Sequence, residues 1–275
     1  MSFLSEGVAV ITGAGSGMGR CLAQQLAAKG SALALADLNR DGLDATVASL
    51  NSPTAKVTTH ILNVADESQV QSFAADVASA HGRATLLFNN AGVALLGELH
   101  QISLRDFRWL MDINFWGVVY GCTFFLPLLK QQKRAHIVNT SSVLGLIGAI
   151  GQGPYAASKF AVRGYTECLH HELAGSSVGV TCVHPGFVRT SIAANAKVGE
   201  RASESLRQES LARFEKVAHT DPPVAASKIL RAVELNRPRL LIGADAFFLD
   251  AWQRLKPSTY WNLVAKQYEV RDKHS

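Results

Sequence analysis

Long apolar runs are missing from this 275-residue chain, although 48% of its residues are hydrophobic. No stretch reaches the roughly 18 uninterrupted apolar residues of a membrane span. The richest one, FWGVVYGCTFFLPLLK, is short and carries two Gly and a Pro, so it reads as a buried helix of a soluble protein. Charge of one sign is also scarce. Twenty-seven Lys and Arg against 22 Asp and Glu leave an excess of five, and no basic run is interleaved with aromatics. A nucleic-acid footprint is therefore not expected, whereas a mild positive field can still draw in an anionic cofactor. The start, MSFLSEGVAVITG, has neither a basic n-region nor a small-residue cleavage site and does not read as a signal peptide. Cysteine is sparse: Cys21, Cys122, Cys168 and Cys182 are scattered in apolar neighbourhoods without CxxC spacing. Reduced thiols of a cytoplasmic protein look like this. Adjacent helical residues point in different directions, so the His170–His171 pair makes no metal site, and no metal is expected.

What is present is an alternation. Short β-rich runs stand at 8–12, 32–37, 57–64, 85–90, 136–141, 179–184 and 239–243, and helical spacing fills 17–29, 40–50, 67–81, 103–132, 155–174 and 222–236. Strands that are apolar on both faces and separated by helices imply a parallel sheet covered on both sides. With right-handed crossovers this is an α/β, doubly wound, Rossmann-like sheet of about seven strands, with its ligand crevice at the strands' carboxyl ends. Neither a repeat nor a linker divides residues 1–275, which are expected to form a single dinucleotide-binding and catalytic domain. The charged, Ala/Ser-rich stretch 187–221 reads either as a flap over the site or as a solvated helix pair. The end, 244–275, is aromatic and amphipathic with Trp252, Tyr260 and Trp261, and is expected to pack on the core or on another subunit.

The first strand runs into TGAGSGMGR (12–20) and then into a helical pattern. Glycines there allow a tight turn and close backbone approach, and the helix N-terminus offers free N–H groups to a pyrophosphate. GxGxxG spacing fails at Met18; TGxxxGxG fits, through Thr12, Gly13, Gly17 and Gly19. A P-loop is excluded because the Gly-Lys-Ser/Thr is missing. The second strand ends in Asp37, where an acid accepts hydrogen bonds from an adenosine ribose and repels a 2′-phosphate. Neither Ser16 nor Leu38 is basic, so NAD is favoured over NADP.

Together with NNAG (89–92), Ser142 and YAASK (155–159), these motifs resemble the short-chain dehydrogenase/reductase family, in its shorter single-domain oxidoreductase branch, over residues of about 6 to 243. The resemblance implies Tyr155 as catalytic acid/base, Lys159 as its partner, Ser142 as the hydroxyl that orients substrate, and Asn114 as holder of a water-linked proton path. It implies dinucleotide contacts at Gly13, Gly15, Ser16, Gly17, Met18, Gly19, Asp37 and Leu38, and at an adenine pair, Asn63–Val64. Further contacts are implied at Asn90, Ala91 and Gly92 and around the nicotinamide at Pro185, Gly186, Val188 and Thr190, with Tyr155 and Lys159 also touching the cofactor. In the family the helices 103–132 and 155–174 pair across a two-fold axis, which implies a homodimer or homotetramer.

Tyr155 and Lys159 stand at i and i+4, on one helical face. A free phenol, with pKa about 10, is a poor base at neutral pH. An ammonium about 4 Å away, at an effective dielectric near 20, favours phenolate by roughly 4 kcal/mol, or up to about three pKa units. Ser142 then donates to the substrate oxygen. The pocket is expected from Val93 and Leu95 after NNAG, Leu144 after the serine, and Phe187 after the Pro-Gly turn, with Arg189 the only nearby charge. An apolar secondary alcohol or ketone follows as substrate. Two other readings remain: a 3-oxoacyl-thioester reductase, and a protein that senses NAD(H) without turnover.

Overall fold

A computed structural model describes residues 3–51 and 56–262. In chain order the elements are β1 (Val8–Thr12), α1 (Gly17–Lys29), β2 (Ala32–Asp37), α2 (Arg40–Ala48), β3 (Val57–Ile61), α3 (Glu67–His81), β4 (Leu86–Asn89) and β5 (Leu95–Leu96). There follow α4 (Leu104–Met111), α5 (Gly117–Lys130), β6 (Ala135–Thr140), α6 (Gly153–Glu172), β7 (Val178–Pro185) and β8 (Lys197–Val198). The last are α7 (Ser205–Val217), α8 (Pro222–Glu234), β9 (Arg239–Ile242) and α9 (Ala244–Leu255). Seven strands form one sheet in the order β3-β2-β1-β4-β6-β7-β9, and β5 pairs with β8 apart from it. Every pairing in the large sheet is parallel.

Strand side chains alternate between faces, and β1 shows it directly. Ala9 and Ile11 join Leu22 and Leu26 of α1 and Ile229 and Val233 of α8 on one face. Val10 joins Phe73 of α3, Phe125 of α5 and Val162 of α6 on the other. The central strands are accordingly buried throughout, while the edge strand β3 is largely uncovered. Helix ends follow local chemistry: Asn39 and Asp66 cap α2 and α3 with their side chains, and left-handed Gly30 and Gly82 end α1 and α3. The chain builds outward from β1 to β3 and then returns to the far side of β1 at β4. This switch point opens a crevice at the carboxyl ends of β1 and β4.

The helix expected over 103–132 runs without a break from Leu104 to Lys130, with a π-helical turn at Asp112–Trp116 between α4 and α5. The wider turn adds a residue and re-aims Asn114. The run Leu104–Lys130 is long and apolar enough to cross a membrane, yet Val118, Cys122, Phe125 and Leu129 are buried in the core. The third strand stops at Ile61 rather than 64, because Asn63 turns the chain by accepting the Ala65 N–H at 3.1 Å. Cys168 is exposed on α6 rather than in apolar surroundings.

Residues 187–221 contain the single helix α7 and the strand β8. Their neck is closed by a Val188–Thr220 bridge and an Arg189–Asp221 ion pair at 3.0 Å. Of the expected C-terminal packing segment, α9, Tyr260 and Trp261 are described, with Phe247, Phe248 and Trp261 exposed; residues 263–275 lie outside the described range.

Candidate active site

The glycine turn sits at the mouth of the switch point. Gly13 and Gly17 adopt φ of +66° and +50°, which favours glycine. A Cβ on Gly13 would lie 2.8 Å from Cα of Ala91, and one on Gly19 would lie 2.1 Å from the Gly13 carbonyl oxygen. Thr12 binds the two halves together: its Oγ1 accepts from the N–H groups of Asn90 and Ala91, at 3.1 and 3.2 Å. Asn90 in turn donates from its side chain to the Thr12 and Gly13 carbonyls. Ser16 precedes α1 without a side-chain cap, so no side chain occupies the place of an anion at the first-turn N–H groups. Met18 packs inward on the core, and Thr190 lies against Gly17, 3.1 Å from where a Cβ would stand.

Asp37 is held rather than free. Its two oxygens accept from the Gly15 N–H at 2.8 Å and the Asn39 N–H at 2.9 Å, while Leu38 projects into solvent. The remaining carboxylate lone pairs can take ribose hydroxyls. Asn63 already accepts the Ala65 N–H, which leaves one carbonyl lone pair, and Val64 is buried beneath Gly117. Val188 is likewise buried in the core, so its side chain does not face the crevice.

The four residues expected to act chemically come together beyond β4 and β6. Lys159, 3% exposed, donates to the Thr140 carbonyl at 2.9 Å, and its nitrogen lies 5.7 Å from the centre of the Tyr155 ring. The glycine of NNAG fits between neighbours: a Cβ on Gly92 would stand 3.3 Å from Asn114 Oδ1 and 3.4 Å from Lys159 Nζ. The Ser142 hydroxyl lies close enough to the Tyr155 phenol to favour its ionised form, and accepts from the Leu144 N–H at 3.1 Å. The neighbouring Ser141 instead donates to the Lys159 carbonyl at 2.7 Å. Asn114, wholly buried, accepts the Val93 N–H at 2.8 Å and donates to the Val93 carbonyl and the Ser158 hydroxyl. Its side chain clamps Val93 and keeps one lone pair for a water.

Electrostatics corrects the i, i+4 estimate. Burial raises the Tyr155 phenol above its ordinary value, opposed by the Ser142 hydroxyl, and pushes the Lys159 ammonium down to about 8. The site thus holds a protonated phenol beside a destabilised ammonium.

The apolar wall around Tyr155 differs from the expected one. Tyr155 packs against a cluster of Ala94, Leu96 and Ala196 that Ile192 and Leu206 also flank, so β5, α7 and the segment before β8 contribute to it. Leu95, expected in the pocket, is wholly buried on β5, which pairs with β8. Leu144 and Phe187 are half-buried, with Phe187 edge-on to Phe214 of α7 at 6.1 Å. Arg189 is spent on Asp221 and the Ala218 carbonyl, which removes the one charge expected nearby. His184 was not singled out in the sequence. Its Nδ1 lies 3.2 Å from the Ser142 carbonyl, its Nε2 has no hydrogen-bond partner among the described residues, and burial pushes its pKa down to about 4. A histidine inside a strand gives no sequence signal for such a place.

Comparison with known proteins agrees with this geometry. The short chain dehydrogenase family model matches residues 7–201. SadH of Mycobacterium tuberculosis is 40% identical over 267 residues, 96% of either chain. The 3-oxoacyl-[acyl-carrier-protein] reductase FabG of Thermotoga maritima is 35% identical over 210 residues, covering 76% of this chain and 85% of its own. A short-chain dehydrogenase/reductase from Burkholderia phymatum, solved in complex with NAD, superposes with a TM-score of 0.82 at 35% identity, over 93% of this chain and 95% of its own. The switch-point cradle and the matched family model together place the chain in the short-chain dehydrogenase/reductase family of oxidoreductases.

Proposed function

We propose that this chain transfers hydride between NAD(H) and an apolar secondary alcohol or ketone, with Tyr155 as acid and base. The observation that carries the reading is the convergence of Ser142, Tyr155 and Lys159 beside the glycine of NNAG, under an apolar wall. The dinucleotide fits the cradle because Gly13 and Gly19 leave backbone bare where any Cβ would collide, and because the first turn of α1 carries no side-chain cap. Asp37 would hold the adenosine ribose, and its charge disfavours a 2′-phosphate. Bound there, the nicotinamide supplies the hydride donor or acceptor.

The protein moves the proton. In ketone reduction, the Tyr155 phenol, kept protonated at neutral pH by its surroundings, donates to the substrate oxygen while Ser142 hydrogen-bonds that oxygen. In alcohol oxidation the phenolate form of Tyr155, stabilised by the Lys159 ammonium after its own proton has left to solvent, takes the hydroxyl proton of the substrate. Asn114 fixes the backbone of Val93, and with it one side of the pocket. Ile192, Ala196 and Leu206 exclude water from this step, which assigns 187–221 the role of substrate flap.

The FabG relative favours a second reading, reduction of a 3-oxoacyl thioester, whose reacting end is also apolar. The test is nicotinamide absorbance with NADH and NADPH against hydrophobic ketones, 3-oxoacyl thioesters and sugar ketoses. NADH-dependent reduction of the ketones supports the proposal; faster thioester reduction selects the second reading. Preference for ketoses contradicts both, and cofactor binding without any turnover points to a sensor. We also assign a homodimer or homotetramer, because Trp116 and Phe160, on the outer side of the π-turn and α6, are 44% and 41% exposed. Sedimentation as a monomer would contradict that.

A further inference from the structure

The last described segment grips the site at two points that none of the motifs uses. Asp245, in the first turn of α9, accepts the Phe187 N–H at 2.7 Å. The approach is close: a Cβ on Gly186 would lie 2.0 Å from that carboxylate oxygen. Gly186 lacks a positive φ, so the glycine of the Pro-Gly turn is needed for the carboxylate rather than for the turn. Beyond α9, the Tyr260 hydroxyl accepts the Gly148 N–H at 3.2 Å. Phe187 follows the end of β7, and Gly148 lies in the loop that follows β6 and Ser142. Two neighbouring walls of the crevice are therefore held by one arm.

That arm has a rigid base. Arg239 of β9 forms a two-pronged ion pair with Asp250 of α9, at 2.6 and 3.1 Å, and Phe248 stacks on Trp252. Gly148 is exposed, so water could satisfy its N–H without help from Tyr260. What the contact adds is position.

We infer that the segment from Asp245 to Tyr260 is a strap that sets the spacing of the two substrate-facing walls, with Asp245 and Tyr260 as positioning residues that decide which substrates fit. The inference rests on the proposed ketone chemistry for its kinetic readout and on the geometry for the rest. The test combines amide hydrogen exchange with kinetics on a small and a bulky hydrophobic ketone, using the full-length protein. In Tyr260→Phe, Gly148 exchanges faster and KM for the bulky ketone rises about three- to tenfold, the scale of one neutral hydrogen bond. Its kcat and NADH affinity stay at wild-type values. Asp245→Ala raises KM in the same way, and Asp245→Asn, which keeps an acceptor, restores it. Tyr260→Phe uncovers no buried group, so it remains a test if Asp245→Ala fails to fold. Unchanged Gly148 exchange, or faster exchange with unchanged KM, overturns the strap. If the wild type reduces no ketone, the functional reading fails, and Gly148 exchange alone decides for or against the strap.

Discussion

Lys159→Met should yield a protein that is more stable and far less active. Lys159 is 3% exposed, and its surroundings push its pKa from 10.5 to about 8. At about 1.4 kcal/mol per unit, that shift costs the folded state roughly 3 kcal/mol at pH 7. Methionine has a similar length and removes this cost. It forfeits the charged hydrogen bond to the Thr140 carbonyl, worth about 1.5 to 3 kcal/mol, so a net gain of up to about 2 kcal/mol remains. The linkage adds a signature. Between pH 8 and 10.5 the unfolded chain holds the lysine proton and the folded one does not, so wild-type stability rises with pH there. The variant lacks that rise. Activity moves the other way: the phenolate loses the ammonium beside it, so the limb of the alcohol-oxidation profile that reports Tyr155 should shift alkaline, with about a hundredfold loss of rate at neutral pH. Denaturant unfolding and pH–kcat/KM profiles measure both. A destabilised variant, or an unshifted profile, refutes the reasoning.

Acid should unfold the protein through two buried imidazoles. His136 and His184 titrate near 4 when folded against 6.5 when free, so each contributes up to about 3 kcal/mol that is lost as pH falls from 6.5 to 4. A flat unfolding free energy across that window would contradict this. Gly19→Ala places a Cβ 2.1 Å from the Gly13 carbonyl oxygen; opening the turn should cost about 1–3 kcal/mol and abolish NADH binding by fluorescence titration. Retained binding would count against the cradle. Asp37→Ser should raise the NADP-to-NAD ratio of kcat/KM by at least about tenfold, through relief of repulsion. An unchanged ratio would mean that the carboxylate acts only as the tether of Gly15 and Asn39.

The sheet and the cradle were legible because each rests on a local rule. Helices α1 and α3 begin and end where the periodic residues, caps and glycines put them, and TGxxxGxG carries its own steric reason. The π-turn was not legible, since an i→i+5 bulge leaves no mark on apolar spacing around Asn114. The full burial of Leu95 was not legible, because its strand pairs over two residues with a segment a hundred residues away. Leu206 and Ala196 join the cluster beside Tyr155 only through the tertiary course of 187–221, and the strap through Tyr260 depends on the same kind of long-range contact. The Tyr155–Lys159 pair was visible in its spacing. Its electrostatics was not, because burial acts on both groups and the sequence does not give its extent.

The central claim is that the Tyr155 hydroxyl moves the proton. Its most direct test is single-turnover oxidation of bound NADH by the best ketone, in wild type and Tyr155→Phe, with NADH affinity measured alongside. The account predicts unchanged NADH affinity and a chemical step slowed by about a hundredfold or more. A Tyr155→Phe enzyme that oxidises NADH at the wild-type rate would contradict it.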